Sequence, residues 1–124
     1  MAYVGIVLIS HSPKIVDGTK DMIRQVIKDV PIETAGGTDE NAVGTSIEKI
    51  QQAIDRANNG QGVLVFYDIG SAQMNAEMAA EMTEAVDVRI MEAPLVEGAY
   101  VAAVESGMAK NIKEVADAVT KAFS

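Results

Sequence analysis

Apolar residues fall along this chain in two alternating patterns. Unbroken runs occur at Tyr3 to Ile9 and at Gly62 to Tyr67 (GVLVFY), with shorter ones at Ile32 to Ala35 and Val88 to Met91. Continuous, largely β-branched runs bounded by turn residues predict strands of a parallel sheet covered on both faces, with the first as the central strand. Between the runs, apolar residues recur at helical spacing. Ser12 and Pro13 open such a stretch, with Ile15, Val16, Met22, Ile23, Val26, Ile27 and Val30 on one stripe up to Pro31. Gly18 inside it implies a close approach to the strand or to a ligand loop. Ser46 caps a second helix carrying Ile47, Ile50, Ile54 and Ala57, ended by Asn58-Asn59-Gly60. A third helix follows Asp68-Ile69-Gly70-Ser71, with Met74, Met78, Met82 and Ala85 predicted to face the core. The fourth, Leu95 to Ser106, is apolar on nearly every side and so needs a second partner besides the sheet, for which a second subunit is one candidate. The last, Asn111 to Phe123, has a stripe of Ile112, Val115, Ala116, Val119, Ala122 and Phe123.

The resulting order β-α-β-α-β-α-β-α-α, with right-handed crossovers, gives an α/β fold. It is an open, mainly parallel, flavodoxin-like sheet in strand order 2-1-3-4 with helices on both faces. Residues 1–124 make one domain, since that length matches a single core.

Composition narrows the chemistry. There is no Cys, so disulfides, thiolate chemistry and cysteine-held metals are excluded, in keeping with a reducing cytoplasm. The run Val4 to Ile9 is too short to span a bilayer, and no basic region precedes it. Ten Lys and Arg against 18 Asp and Glu give a formal charge of -8, which opposes nucleic acid and anionic membrane and favours partners with a basic docking face.

One residue stands out. His11 is the only histidine and follows the first strand, at the sheet edge where α/β folds gather their sites and helix amino termini can hold an anion. If strands 1 and 3 are neighbours, Asp68 reaches His11. A carboxylate on one ring nitrogen fixes the tautomer and leaves the other nitrogen as a nucleophile toward phosphorus. Ser12, the Gly36-Gly37-Thr38 amides, Gly70 and Ser71 are the candidate phosphate donors. Taken singly, a strand-end His is more often an ordinary polar residue and a strand-end Asp a helix cap. A lone His with scattered carboxylates is a poor metal set. No P-loop and no arginine in the four strand-end loops argue against a nucleotide-binding kinase, and no cofactor is expected. A receiver-type domain would carry a phosphorylatable Asp where Asp68 stands, but would need an acidic pair where Ser10 and His11 stand. A regulatory module with an inert His11 is the other alternative.

The segments SHSPKIVDG, YDIGSAQMNAEMA and APLVEGAYVAA, after strands 1, 3 and 4, resemble the IIA domain of the mannose class of the bacterial phosphotransferase system. The resemblance covers nearly the whole chain. It is closer still to the phosphoryl-donor subunits of phosphotransferase-type dihydroxyacetone kinases. Sugar-transporting members usually have a Gly-Gly-Ser-Pro type turn after the strand-3 Asp, whereas this chain reads Asp68-Ile69-Gly70-Ser71-Ala72-Gln73-Met74-Asn75, and Glu97-Gly98-Ala99 points the same way. The resemblance implies that His11 takes a phosphoryl group on Nε2 from HPr, which is charged from phosphoenolpyruvate through enzyme I. It further implies transfer to ADP on a DhaL subunit, which phosphorylates dihydroxyacetone held covalently on DhaK. Such domains are homodimers. Some continue into HPr-like and enzyme I-like domains, whereas this sequence ends at Ser124 and would depend on separate proteins. The mannose-class fold often closes with an antiparallel strand, but residues 111–123 read as helix alone. The alternative within the family is the IIA component of a sugar transport system.

Overall fold

The computed structural model describes residues 2–85 and 87–123, so Met1 and Ser124, the two ends of the expected domain, lie outside the described residues. Its elements are β1 (Gly5–Ser10), α1 (Pro13–Arg24), β2 (Ile32–Gly36), α2 (Ile47–Ala57), β3 (Val63–Tyr67), α3 (Gly70–Met82), β4 (Val88–Ile90), α4 (Leu95–Gly107) and α5 (Ile112–Phe123). The four strands form one parallel sheet in the order β2-β1-β3-β4, as the pattern predicts.

Strand β1 is buried at every position because helices cover both faces of the sheet. Side chains alternate across the pleat. Ile6 and Leu8 join Leu64, Phe66, Val16, Ile23, Ala99, Ala102, Val115 and Val119 in one core beneath α1, α4 and α5. Val7 and Ile9 join Val63, Val65, Ile50, Ile54, Ala72, Ala76 and Ala79 in a second beneath α2 and α3. The buried Ser106 hydroxyl donates to the Val4 carbonyl at 2.7 Å and ties α4 to the entry of β1.

Three readings from spacing are corrected here: the end of α1, the role of Gly18 and the inner face of α3. Helix α1 stops at Arg24, where the Gln25 and Val26 amides turn back onto the Met22 and Ile23 carbonyls. Val30 is still fully buried, so its place on the stripe reflects a loop folded under the core. Gly18 faces open space, with nothing within 4 Å of where a Cβ would stand, so it marks no close approach. Helix α4 packs beside α5 of the same chain, with Val115, Ala116 and Val119 in one core with Leu95, Ala99, Ala102 and Ala103, while Val96 and Val104 on its other side are half-buried. Among its large apolar side chains only Tyr100 stands exposed. The methionines of α3 do not face the core. Met74, Met78 and Met82 are 69%, 51% and 53% exposed, because Ala72, Ala76 and Ala79 let the helix lie close on the sheet and take the inner face. Residues 112–123 are helix, and all four strands among the described residues are parallel.

Candidate active site

The register of the sheet builds the site. Ile9 lies opposite Tyr67 and Ser10 opposite Gly36, so the residues after β1 and β3 leave the same sheet edge side by side. Asp68 there receives four hydrogen bonds. The His11 amide donates to Oδ2 at 3.0 Å, the Ser10 hydroxyl to Oδ2 at 2.8 Å, the Ile69 amide to Oδ1 at 2.7 Å, and His11 Nδ1 lies 3.0 Å from Oδ1. Burial by itself raises the Asp68 pKa. The backbone of His11, the hydroxyl of Ser10, the His11 ring and the backbone of Ile69 together outweigh it, and the carboxyl is held below the usual carboxylate range.

Asp68 is therefore a carboxylate near neutral pH and can only accept hydrogen bonds, which fixes every proton around it. In the neutral ring, His11 Nδ1 therefore carries the proton toward Oδ1 and Nε2 keeps its lone pair. Ser71 Oγ, 2.7 Å from Nε2, must then donate to it. The Ser10 hydrogen points at Oδ2, so its Oγ lone pair is free to accept from the Ser12 amide at 3.0 Å. Ser10 is fully buried. It is the member of this hydrogen-bonded cluster that the sequence reading passed over; the signal for it was a hydroxyl at the end of an otherwise apolar strand.

Ser71 stands in the first turn of α3, whose amino terminus has no side-chain cap. The Gly70 and Ser71 amides have no acceptor among the described residues and lie on the positive end of the helix dipole. Ser12 occupies the cap position of α1, but its side chain makes no cap hydrogen bond.

The Gly36-Gly37-Thr38 loop does not join this group as an amide cradle. The Gly37 amide is spent on the Ser10 carbonyl and the Thr38 amide on the Ala42 carbonyl. The glycines have a packing cause instead. A Cβ on Gly36 would stand 2.6 Å from Pro13 Cα and from Val16 Cγ2, and Gly37 has φ of +74° and a carbonyl 2.6 Å from where its Cβ would be. They let α1 begin close against the end of β2. A polar cavity of about 240 Å³ beside β2, lined by residues including Thr34, Lys49 and Arg56, contains none of His11, Asp68 and Ser71.

Known proteins resemble this chain throughout. The chain is 42% identical over 98 residues to the phosphotransferase subunit DhaM of the PTS-dependent dihydroxyacetone kinase of Lactococcus lactis, covering 79% of this chain and 78% of that one. It is 40% identical over 104 residues to the phosphoryl donor subunit DhaM of PEP-dependent dihydroxyacetone kinase 1 of Listeria innocua, covering 84% and 82%. Among solved structures, EF1359, a protein of unknown function, superposes with a TM-score of 0.85 at 32% identity, covering 97% of this chain and 94% of the other. The model of the EIIA-man family, described as the PTS system fructose IIA component, matches residues 5–118, and the chain belongs to that family.

Proposed function

We propose that this chain is the phosphoryl-donor subunit of a phosphotransferase-type dihydroxyacetone kinase. It acts as a carrier that takes a phosphoryl group from phospho-HPr on His11 Nε2 and hands it to ADP on a DhaL-type subunit, which in turn serves DhaK. The observation that carries the reading is the pairing of His11 Nδ1 with Asp68, which leaves Nε2 as the nucleophilic nitrogen under the Ser71 hydroxyl. The names of the DhaM relatives support the choice of kinase.

In the loading step the Nε2 lone pair attacks phosphorus. The bond between phosphorus and the donor's ring nitrogen breaks, and its electron pair returns to that nitrogen. His11 keeps its Nδ1 proton and gains positive character, which the Asp68 carboxylate offsets. Ser71 must release Nε2, and its hydroxyl then serves a phosphoryl oxygen beside the Gly70 and Ser71 amides; Ser12 borders the same space from α1. Transfer to ADP reverses these movements. No deep cleft is needed, because each phosphoryl group arrives and leaves on another protein. The protein works as a cytoplasmic homodimer, and among the described residues no helix is long and apolar enough to cross a membrane.

Incubation with phosphoenolpyruvate, enzyme I and HPr should add one acid-labile phosphate by intact mass, and His11→Gln should abolish it while the fold is kept. The phosphorylated chain mixed with DhaL–ADP should lose its phosphate and yield ATP. Phosphorylation of a mannose-class IIB domain, with DhaL–ADP ignored, would replace this reading by the sugar-transport one.

A further inference from the structure

We propose that Thr45 and Asn75 are positioning residues for the transfer: the hydrogen bond between them holds α3 at the rotation that sets the Ser71 hydroxyl against His11 Nε2. The inference rests on the carrier reading above. Asn75 Nδ2 donates to Thr45 Oγ1, joining α3 to the loop that runs from Gly37 into α2. Asn75 lies four residues after Ser71, one turn on along the same face of the helix. Gly44, the residue before Thr45, donates its amide to the His11 carbonyl at 2.9 Å. The contacts close a circuit. It runs from His11 through Gly44 and Thr45 to Asn75, back one turn of α3 to Ser71, and from Ser71 Oγ to Nε2 at 2.7 Å.

Two features make this link the one that sets the helix. The inner face of α3 is Ala72, Ala76 and Ala79, whose short side chains give shallow ridges that interlock weakly with the sheet. Among the described residues, Ser71 and Asn75 are the side chains of α3 that hydrogen-bond outside the helix, while Gln51 reaches the Met82 carbonyl at its far end. The other end of the link is fixed. Lys49 Nζ donates to the Gly36 carbonyl at 3.1 Å and to Asn41 Oδ1 at 2.6 Å, and the Ser46 hydroxyl, bonded to Asp39, accepts from the Lys49 amide as the cap of α2. Thr45 therefore stands at the start of a capped helix, and Asn75 is held to a firm point. Without the link, α3 can turn and carry the Ser71 hydroxyl and the Gly70 and Ser71 amides off the places a phosphoryl group needs. A displacement of about 1 Å can cost roughly 100-fold in rate.

The test combines ring ¹⁵N shifts of His11, rapid-quench loading from phospho-HPr and melting temperature, for Thr45→Val, Asn75→Ala, the two combined, and Thr45→Ser. Thr45→Val and Asn75→Ala should each lower kcat for loading about tenfold and leave the KM for phospho-HPr within about twofold. In both, the Nε2 resonance should move toward its position in Ser71→Ala, while Nδ1 stays in place because Asp68 holds it independently. The double variant should be no slower than the slower single one, since both remove the same contact. Thr45→Ser keeps the accepting oxygen and should match the parent chain. Parent-like kcat and Nε2 shifts in both single variants, an effect confined to KM, or a lower melting temperature with loading unchanged each overturns the positioning role and leaves the carrier reading standing. A parent chain that gains no phosphate on His11 overturns the carrier reading and this inference with it.

Discussion

At the scale of single residues, the site is a chain of directed hydrogen bonds anchored on one carboxylate. Asp68→Asn keeps the shape but can present an amide N–H to His11 Nδ1. That favours the wrong tautomer, and we expect transfer to slow by roughly 10- to 1000-fold, measured by rapid quench. Ser10→Ala acts one step further out. It removes a donor to Asp68 Oδ2 and orphans the Ser12 amide. The fraction of His11 in the Nδ1–H form, read from ring ¹⁵N shifts, should therefore fall, while Ser10→Thr restores it. A purely structural role for Ser10 would lower the melting temperature and leave those shifts alone. The depressed Asp68 pKa carries a sign as well. The unfolded chain binds the proton more readily, so the contribution of Asp68 is complete above the ordinary carboxylate value and fades as pH falls through the lower folded value. Urea titrations of the parent and Asp68→Asn should differ at pH 6 and begin to approach each other only as pH falls below about 4.

Among the elements, α1 and α3 matter most, because their amino termini border His11 and their seating on the sheet sets its geometry. Gly36→Ala would drive a methyl into Pro13 and Val16 and lift the start of α1. We expect a loss of about 1–3 kcal/mol in urea unfolding, from overpacking, together with slower phosphorylation as the strand-end loop moves. Helix α5, by contrast, is far from the chemistry in its role. Asn111 and Glu114 cap it reciprocally, each side chain accepting from the other's amide at 2.9 and 3.1 Å. Asn111→Ala should cost about 1 kcal/mol of stability and leave transfer unchanged.

For the molecule as a whole, charge sets the encounter. A formal charge of -8 should make loading by a basic-faced donor fall steeply as salt rises from about 20 to 200 mM, with the effect in the second-order rate constant and not in the limiting rate.

The order of elements, the parallel sheet in order 2-1-3-4 and the meeting of His11 with Asp68 were legible in the sequence. Continuous β-branched runs admit only a strand buried on both faces, and right-handed crossovers with adjacent strands 1 and 3 put residues 11 and 68 at one edge. Helical spacing likewise named the stripe of α2, and that of α5 as far as Val119; Ala122 and Phe123, past the edge of the core, are exposed. It could not say which of two faces of α3 turns inward, because alanines and methionines are both apolar. Only the close approach of the helix to β3 and β4 made the small residues the buried ones. Nor could spacing show that α4 packs beside α5, that the Gly36-Gly37 pair serves helix packing, or that Ser10 holds Asp68. Each of these depends on which atoms come within a few ångströms once the layers are stacked, and that distance is set by the tertiary fold.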